Sequence, residues 1–180
     1  MDEYDKFKNK VITNQIVRVI IDFLVLIGLQ LPLFIKILII MITDFLDTTF
    51  PFYLDMVQPN LFDEYEKIDK VGDMIIYTTL WIYYIKFDDS PLVLKNYITL
   101  LFLFRWMGYL IYRETNKRNI FVMFPNLFLE SLFVISLLQY MGYSYSKYYK
   151  LYFIVLSLTF VFKIIHEMYI HTPIFNSIKY

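Results

Sequence analysis

The chain has 180 residues, of which 58% are hydrophobic and 21% aromatic, and its mean hydropathy is +0.51. This apolar share exceeds that of an ordinary soluble domain, so the sequence predicts a membrane protein. The formal net charge is zero and gives no indication of nucleic-acid binding. The absence of cysteine excludes disulfides, thiolate metal sites and cysteine nucleophiles.

Apolar runs long enough to cross a bilayer recur along the chain. They predict an all-α fold, a bundle of six transmembrane helices in a single domain, 1–180, with a juxtamembrane segment at 1–16. The predicted spans are Val17–Leu29, Leu31–Asp47, Val71–Ile85, Leu92–Tyr112, Phe121–Tyr140 and Tyr148–Ile170. Pro32 separates the first two spans, and one long helix kinked at this proline is the alternative.

The basic residues indicate how such a bundle is oriented. With six spans, one side receives Lys6, Lys8, Lys10, Lys67, Lys70, Arg113, Lys117, Arg118 and Lys179. The other side receives Lys86, Lys95, Lys147 and Lys150. Because cytoplasmic loops carry an excess of Lys and Arg, both termini and the segment between the second and third helices are predicted to be cytoplasmic.

Two pairs of aspartates flank this cytoplasmic segment. Asp44 and Asp47, three residues apart, are predicted to share a face at the C-terminal end of the second helix, where the helix dipole disfavours anions. Asp69 and Asp73, four residues apart, are predicted to share a face at the start of the third helix. A favourable helix dipole would explain the second pair alone. Four converging carboxylates form an oxygen site suited to Mg²⁺, Mn²⁺ or Ca²⁺.

With these residues the chain resembles the CDP-alcohol phosphatidyltransferase family, in particular its phosphatidylglycerophosphate-synthase type. The family signature reads D-x-x-D-G-x-x-A-R and, after a short spacer, G-x-x-x-D-x-x-x-D. Here "TDFLD" matches the opening and "IDKVGD" supplies the closing pair, and the six-helix plan also matches. The chain departs from the signature at the two glycines and the Ala-Arg pair, which fall on Thr48, Tyr65, Pro51 and Phe52.

The resemblance implies a metal-dependent transferase of phospholipid synthesis and a homodimer. Asp44, Asp47, Asp69 and Asp73 would hold two divalent cations, Mg²⁺ or Mn²⁺, that bind the pyrophosphate of a CDP-linked lipid or alcohol. Asp73 would also take the proton from the hydroxyl acceptor, which displaces CMP. Membrane lipids are the expected surroundings.

Basic residues in and after the predicted fourth helix could bind substrate phosphate. They are Arg105, within the apolar run, and Arg113, Lys117 and Arg118 at its cytoplasmic end. Alternatively, Arg105 pairs with Asp22 or Glu130 or extends its charge to the interface, and the other three only follow the positive-inside rule. Arg18 and Asp22, four residues apart, are interpreted as an ion pair in the first helix.

Two other functions remain open from the sequence. A catalytically inactive relative acting as a membrane scaffold or lipid-binding protein would explain the missing glycines and arginine. A cation channel or transporter would need acids deep in several helices, and Asp22, Glu130 and Glu167 are the candidates.

The natural absence of cysteine makes the predicted topology testable. Asp55→Cys places one thiol in the segment between the predicted second and third helices, and we expect a membrane-impermeant maleimide to label it only from the cytoplasmic side. Asp89→Cys, in the predicted loop on the opposite side, is the control and should be labelled only from outside. Labelling of position 55 only from the outer side would contradict this topology.

Overall fold

The structure is a computed structural model that describes the backbone of residues 3–53, 59–117 and 119–171 and the side chains of residues 8–46, 65–117 and 119–169. All regular structure within these ranges is α-helical, which confirms the all-α class. The helices are α1 (Glu3–Gly28), α2 (Leu33–Tyr53), α3 (Pro59–Phe87), α4 (Leu92–Thr115), α5 (Ile120–Met123), α6 (Leu127–Tyr140) and α7 (Tyr145–His171).

The chain divides into two compact units, Met1–Leu80 and Trp81–Tyr180, and α3 runs from the first into the second. Among the described residues, three stretches are long and apolar enough to cross a membrane: Lys8–Gly28, Ile120–Tyr140 and Tyr145–Tyr169. Helices of membrane length are therefore found at the first and sixth predicted spans, whereas the stretch Ile120–Tyr140 at the fifth contains a break between α5 and α6. The arrangement of six spans in one domain stays a prediction.

A proline separates α1 from α2. Residues 29–32 are not helical, and the Pro32 carbonyl accepts hydrogen bonds from the amides of Ile35 and Lys36 at 3.0 and 3.2 Å. Proline has no N–H to continue the helix that precedes it, and it disfavours helical backbone at the residue before it. The alternative of one long helix kinked at Pro32 is wrong.

The second and third helices are longer than predicted. α2 continues to Tyr53, beyond the predicted end at Asp47, and α3 begins at Pro59, before the predicted start at Val71. For α3 the prediction took charged side chains as marks of the helix start, but Lys and Glu are good helix formers. Asp44, Asp69 and Asp73 consequently lie inside helices, where the dipole of a helix end has little effect. The placement of these aspartates at helix termini is wrong.

The fifth predicted span is interrupted. Phe121–Tyr140 was predicted as one helix, but α5 ends at Met123 and α6 begins at Leu127. Pro125 lies in the break, and it lacks the amide needed to continue the hydrogen-bond pattern. A continuous apolar run concealed this interruption from a reading based on hydropathy.

Each unit has an apolar core of its own. Ile37, Ile40 and Leu80 are buried in the first unit. The second unit has an aromatic core in which the Trp81 ring stacks on Phe102 with 4.9 Å between centroids, and Phe102 in turn contacts Phe128. The indole nitrogen of Trp81 donates a hydrogen bond to the Thr99 hydroxyl at 3.0 Å, so burial of this ring leaves its polar atom satisfied.

Gly108 permits a close approach between α4 and the break before α6. A Cβ atom at position 108 would lie 2.4 Å from the Cβ of Phe124. We expect Gly108→Ala to lower the free energy of unfolding by about 1–3 kcal/mol, because the two backbones must separate to admit the methyl group. Thermal unfolding in detergent measures the change.

Gly28→Ala is the matched control, since nothing lies within 4 Å of a Cβ atom at that position. It should leave the melting temperature nearly unchanged. Equal effects of the two substitutions would contradict the steric explanation.

Candidate metal centre

A buried arginine of α1 lies among three carboxylates from α2 and α3. The Arg18 Nη2 atom is 2.9 Å from Asp44 Oδ1 and 2.6 Å from Asp73 Oδ1. Its Nη1 atom is 2.9 Å from Asp69 Oδ1. The side chain of Arg18 is only 5% exposed. One guanidinium group therefore connects three helices of the first unit.

Lys70 contacts the other oxygen of two of these carboxylates. Its Nζ atom is 2.6 Å from Asp69 Oδ2 and 2.9 Å from Asp73 Oδ2. Asp69 and Asp73 each bind Arg18 through Oδ1 and Lys70 through Oδ2. The two carboxylates thus bridge two positive groups.

Polar side chains around this centre hold its charged groups in place. The Gln15 amide nitrogen donates to Asp69 Oδ1 at 3.3 Å, and a Cβ atom at Gly72 would meet the Gln15 Oε1 atom at 2.8 Å. The Thr43 hydroxyl donates to Asp22 Oδ1 at 2.6 Å. Asp22 is fully buried, and its Oδ2 atom lies 3.7 Å from Arg18 Nε. The centre therefore has a shell of polar contacts from α1 and α2.

Burial and like charge act together on Asp69, which lies outside the predicted membrane spans. Burial and the neighbouring negative charge of Asp73 together raise the pKa of the Asp69 carboxyl to about 6, although Lys70 and Arg18 oppose the shift. The centre is therefore short of positive charge even with both basic residues in place.

The donor atoms fit a hard divalent cation. Asp44, Asp69 and Asp73 can each offer one oxygen such that the three atoms lie within 4.8 Å of one another. Oxygens bound to Mg²⁺ at about 2.0–2.1 Å are separated by roughly 3–4 Å, so small side-chain movements suffice. Asp44 is 31% exposed, which leaves a route to the site. That two Mg²⁺ or Mn²⁺ ions bind here stays a prediction.

The predicted metal ligands Asp44, Asp69 and Asp73 are brought together, whereas the side chain of Asp47 lies outside the described residues. The positive group that contacts Asp44 in the structure is Arg18. The predicted ion pair of Arg18 with Asp22 is present at 3.7 Å. Arg18 also has shorter contacts with Asp44, Asp69 and Asp73, which were not predicted. Buried partners of Arg18 could have been predicted, because Arg18, like Arg105, lies within an apolar run.

The predicted phosphate ligands lie in the second unit. Arg105 is buried, donates from Nη1 to the Phe124 carbonyl at 3.0 Å, and lies 4.5 Å above the Phe121 ring. Arg113 and Lys117 are exposed near the C-terminal end of α4. Arg118 lies outside the described residues. The role of all four in phosphate binding stays a prediction.

Two acids considered for ion conduction have a shared basic contact. The Lys163 Nζ atom is 2.6 Å from Glu130 Oε1 and 3.3 Å from Glu167 Oε1. Glu167 Oε1 also accepts a hydrogen bond from the Asn126 amide at 3.3 Å, just before α6 begins. These contacts give Glu130 and Glu167 a structural part at the helix break.

Removal of the central guanidinium tests how strongly the carboxylates depend on it. We expect Arg18→Gln to lower the free energy of unfolding by about 3–5 kcal/mol, because it leaves buried carboxylates with less compensation. The double variant Arg18→Gln/Asp73→Asn should be less destabilised than the sum of the single variants, since it also removes one of these negative charges. Thermal unfolding in detergent of the parent and the three variants gives the coupling, and additive effects would contradict the described contacts.

Comparison of the chain with protein-family models, curated protein sequences and solved structures finds no match. The likeness to the CDP-alcohol phosphatidyltransferases therefore rests on the signature residues and on the helix plan. The function has to be inferred from the chemistry of the first unit, in which carboxylates and basic groups meet beside apolar helices.

Proposed function

We propose that the chain is a metal-dependent transferase of the CDP-alcohol phosphatidyltransferase type, which moves a phosphatidyl or phospho-alcohol group from a CDP-linked donor to a hydroxyl acceptor. The observation that carries the proposal is the convergence of Asp44 on α2 with Asp69 and Asp73 on α3. These residues were predicted from their spacing on helix faces and from their match to the signature. Their oxygens lie within 4.8 Å of one another, which supports a shared ligand.

The residues of the chain divide the chemistry among them. Asp44, Asp69 and Asp73 would hold Mg²⁺ or Mn²⁺, and the resemblance adds Asp47 as a further ligand. A divalent cation supplies Lewis-acid stabilisation of charge on phosphoryl oxygens. A carboxylate oxygen of Asp73 accepts the proton of the acceptor hydroxyl as its oxygen bonds to phosphorus. The bond from phosphorus to the CMP oxygen breaks, and CMP leaves.

The charged ends of the helices suit anionic substrates. In the second unit, the exposed Arg113 and Lys117, and with them Arg118, carry positive charge that a phosphate group could bind. Arg105 already donates a hydrogen bond to the Phe124 carbonyl at 3.0 Å, and its predicted role in phosphate binding is not part of this proposal.

The membrane arrangement belongs to the same proposal. To the three membrane-length stretches the proposal adds spans within α2, α3 and α4, which would make six crossings and leave both termini cytoplasmic. Donor and acceptor then reach the aspartates from the cytoplasmic side, where soluble nucleotides are found. Two copies of the chain are expected to pair, as the resemblance implies.

Asp73→Asn is the sharpest test of this function. Purified protein in nanodiscs with Mg²⁺ or Mn²⁺ should release CMP from a CDP-lipid when it is given a panel of alcohols. The variant should lose about 10²–10⁴-fold of this rate, because a positioned base is removed. Folding should survive, since asparagine keeps an oxygen that can accept from Arg18.

Asp89→Asn makes the same change at an exposed aspartate of the second unit and should leave the rate unaltered. Failure of the parent to release CMP from CDP-linked lipids and CDP-linked alcohols, with every acceptor and both cations, would contradict the proposal.

A second candidate is a non-catalytic membrane scaffold, in which the same charges only join helices. The observation in its favour is that Arg18 and Lys70 already contact the oxygens that a cation would use. The missing glycines and arginine of the signature agree with it. A scaffold would keep its melting temperature unchanged on addition of Mg²⁺ or Mn²⁺, whereas the transferase should be stabilised by either cation.

A further inference from the structure

The two basic residues of the centre differ in how firmly they are held. Arg18 contacts one oxygen from each of three carboxylates, comes from a different helix and is 5% exposed. Lys70 contacts two carboxylates of its own helix and is 16% exposed. Withdrawal of Arg18 would strand a buried charge, whereas Lys70 has a flexible stem that can carry its ammonium group to water.

The positions of the two groups match those of two bridged cations. Asp69 and Asp73 offer their Oδ1 atoms to Arg18 and their Oδ2 atoms to Lys70. Carboxylates that bridge two metal ions divide their oxygens in the same way, one to each cation. The chain therefore supplies a positive group for each of two positions.

From this difference we infer that Arg18 is a fixed positive group of the centre, and that a single divalent cation binds by displacing Lys70 from the Oδ2 atoms of Asp69 and Asp73. The inference rests on the proposed function for the presence of the cation. It departs from the two cations implied by the resemblance, because a guanidinium group occupies one of the two positions.

The charges around Arg18 favour a cation at the position that Lys70 leaves. Asp22, Asp44, Asp69 and Asp73 are the carboxylates that contact Arg18 in the described part of the chain. The single charge of Arg18 does not balance them, so negative charge remains to bind a divalent cation beside the guanidinium group. Because the guanidinium group keeps its own position, Arg18 is the residue that limits the metal content to one ion.

The test counts bound Mn²⁺ in the full-length protein by electron paramagnetic resonance, with Mn²⁺ alone as the probe. We expect one tightly bound ion per chain. Lys70→Gln should bind Mn²⁺ about tenfold more tightly, because the competing charge has been removed, and still hold one ion. Lys67→Gln removes a positive charge from an exposed position on the same helix and serves as the matched control, with affinity close to that of the parent.

Two tightly bound ions per chain, or equal Mn²⁺ affinities of Lys70→Gln and Lys67→Gln, would overturn the inference. Absence of any Mn²⁺ binding would overturn it together with the metal dependence of the proposed function. The two proposals can also fail separately. CMP release with two bound ions would leave the transferase standing without a fixed Arg18, and one exchangeable ion without CMP release would leave only the cation site.

Discussion

The burial of a positive charge in an apolar helix is the constraint on which the first unit depends. Arg18 lies within Lys8–Gly28, a stretch apolar enough to cross a membrane, and its guanidinium could not stay there without partners. Asp44, Asp69 and Asp73 provide them from two other helices. The packing of α1 therefore depends on the positions of α2 and α3. A change in any of these carboxylates should alter the packing of all three helices.

The same contacts connect stability with function. The carboxylates that connect the helices are also those that would hold a cation in a transferase. Arg18 and Lys70 would therefore compete with the cation for the same carboxylate oxygens. Lys70 is more exposed than Arg18, so it is the basic residue of the centre that we expect to leave first.

The sequence was sufficient for the helical class and for the approach of Asp44 to Asp69 and Asp73. The spacing of each pair on its helix face is a local property, and the resemblance to the signature joined the two pairs. The partner of Asp44 was not predictable in this way. Arg18 has an acid one turn away at Asp22, and that local pairing hid three closer contacts from distant parts of the chain. Helix ends were misplaced where charge was taken for solvent exposure. The break at Pro125 was not predicted, because hydropathy is averaged over many residues and a single proline changes that average little.

The break before α6 limits how the second unit can face lipid. α6 has 14 residues and extends for about 21 Å, less than the roughly 30 Å of a hydrocarbon core, so it cannot span the core alone. Free backbone groups at a break are not tolerated against acyl chains. Pro125 and Asn126 are buried. The Phe124 carbonyl accepts a hydrogen bond from Arg105, and the Asn126 amide donates one to Glu167, so these backbone groups at the break have partners. We therefore expect lipid acyl chains to contact other surfaces, such as the surface of α7 on which Phe153 and Phe162 are exposed.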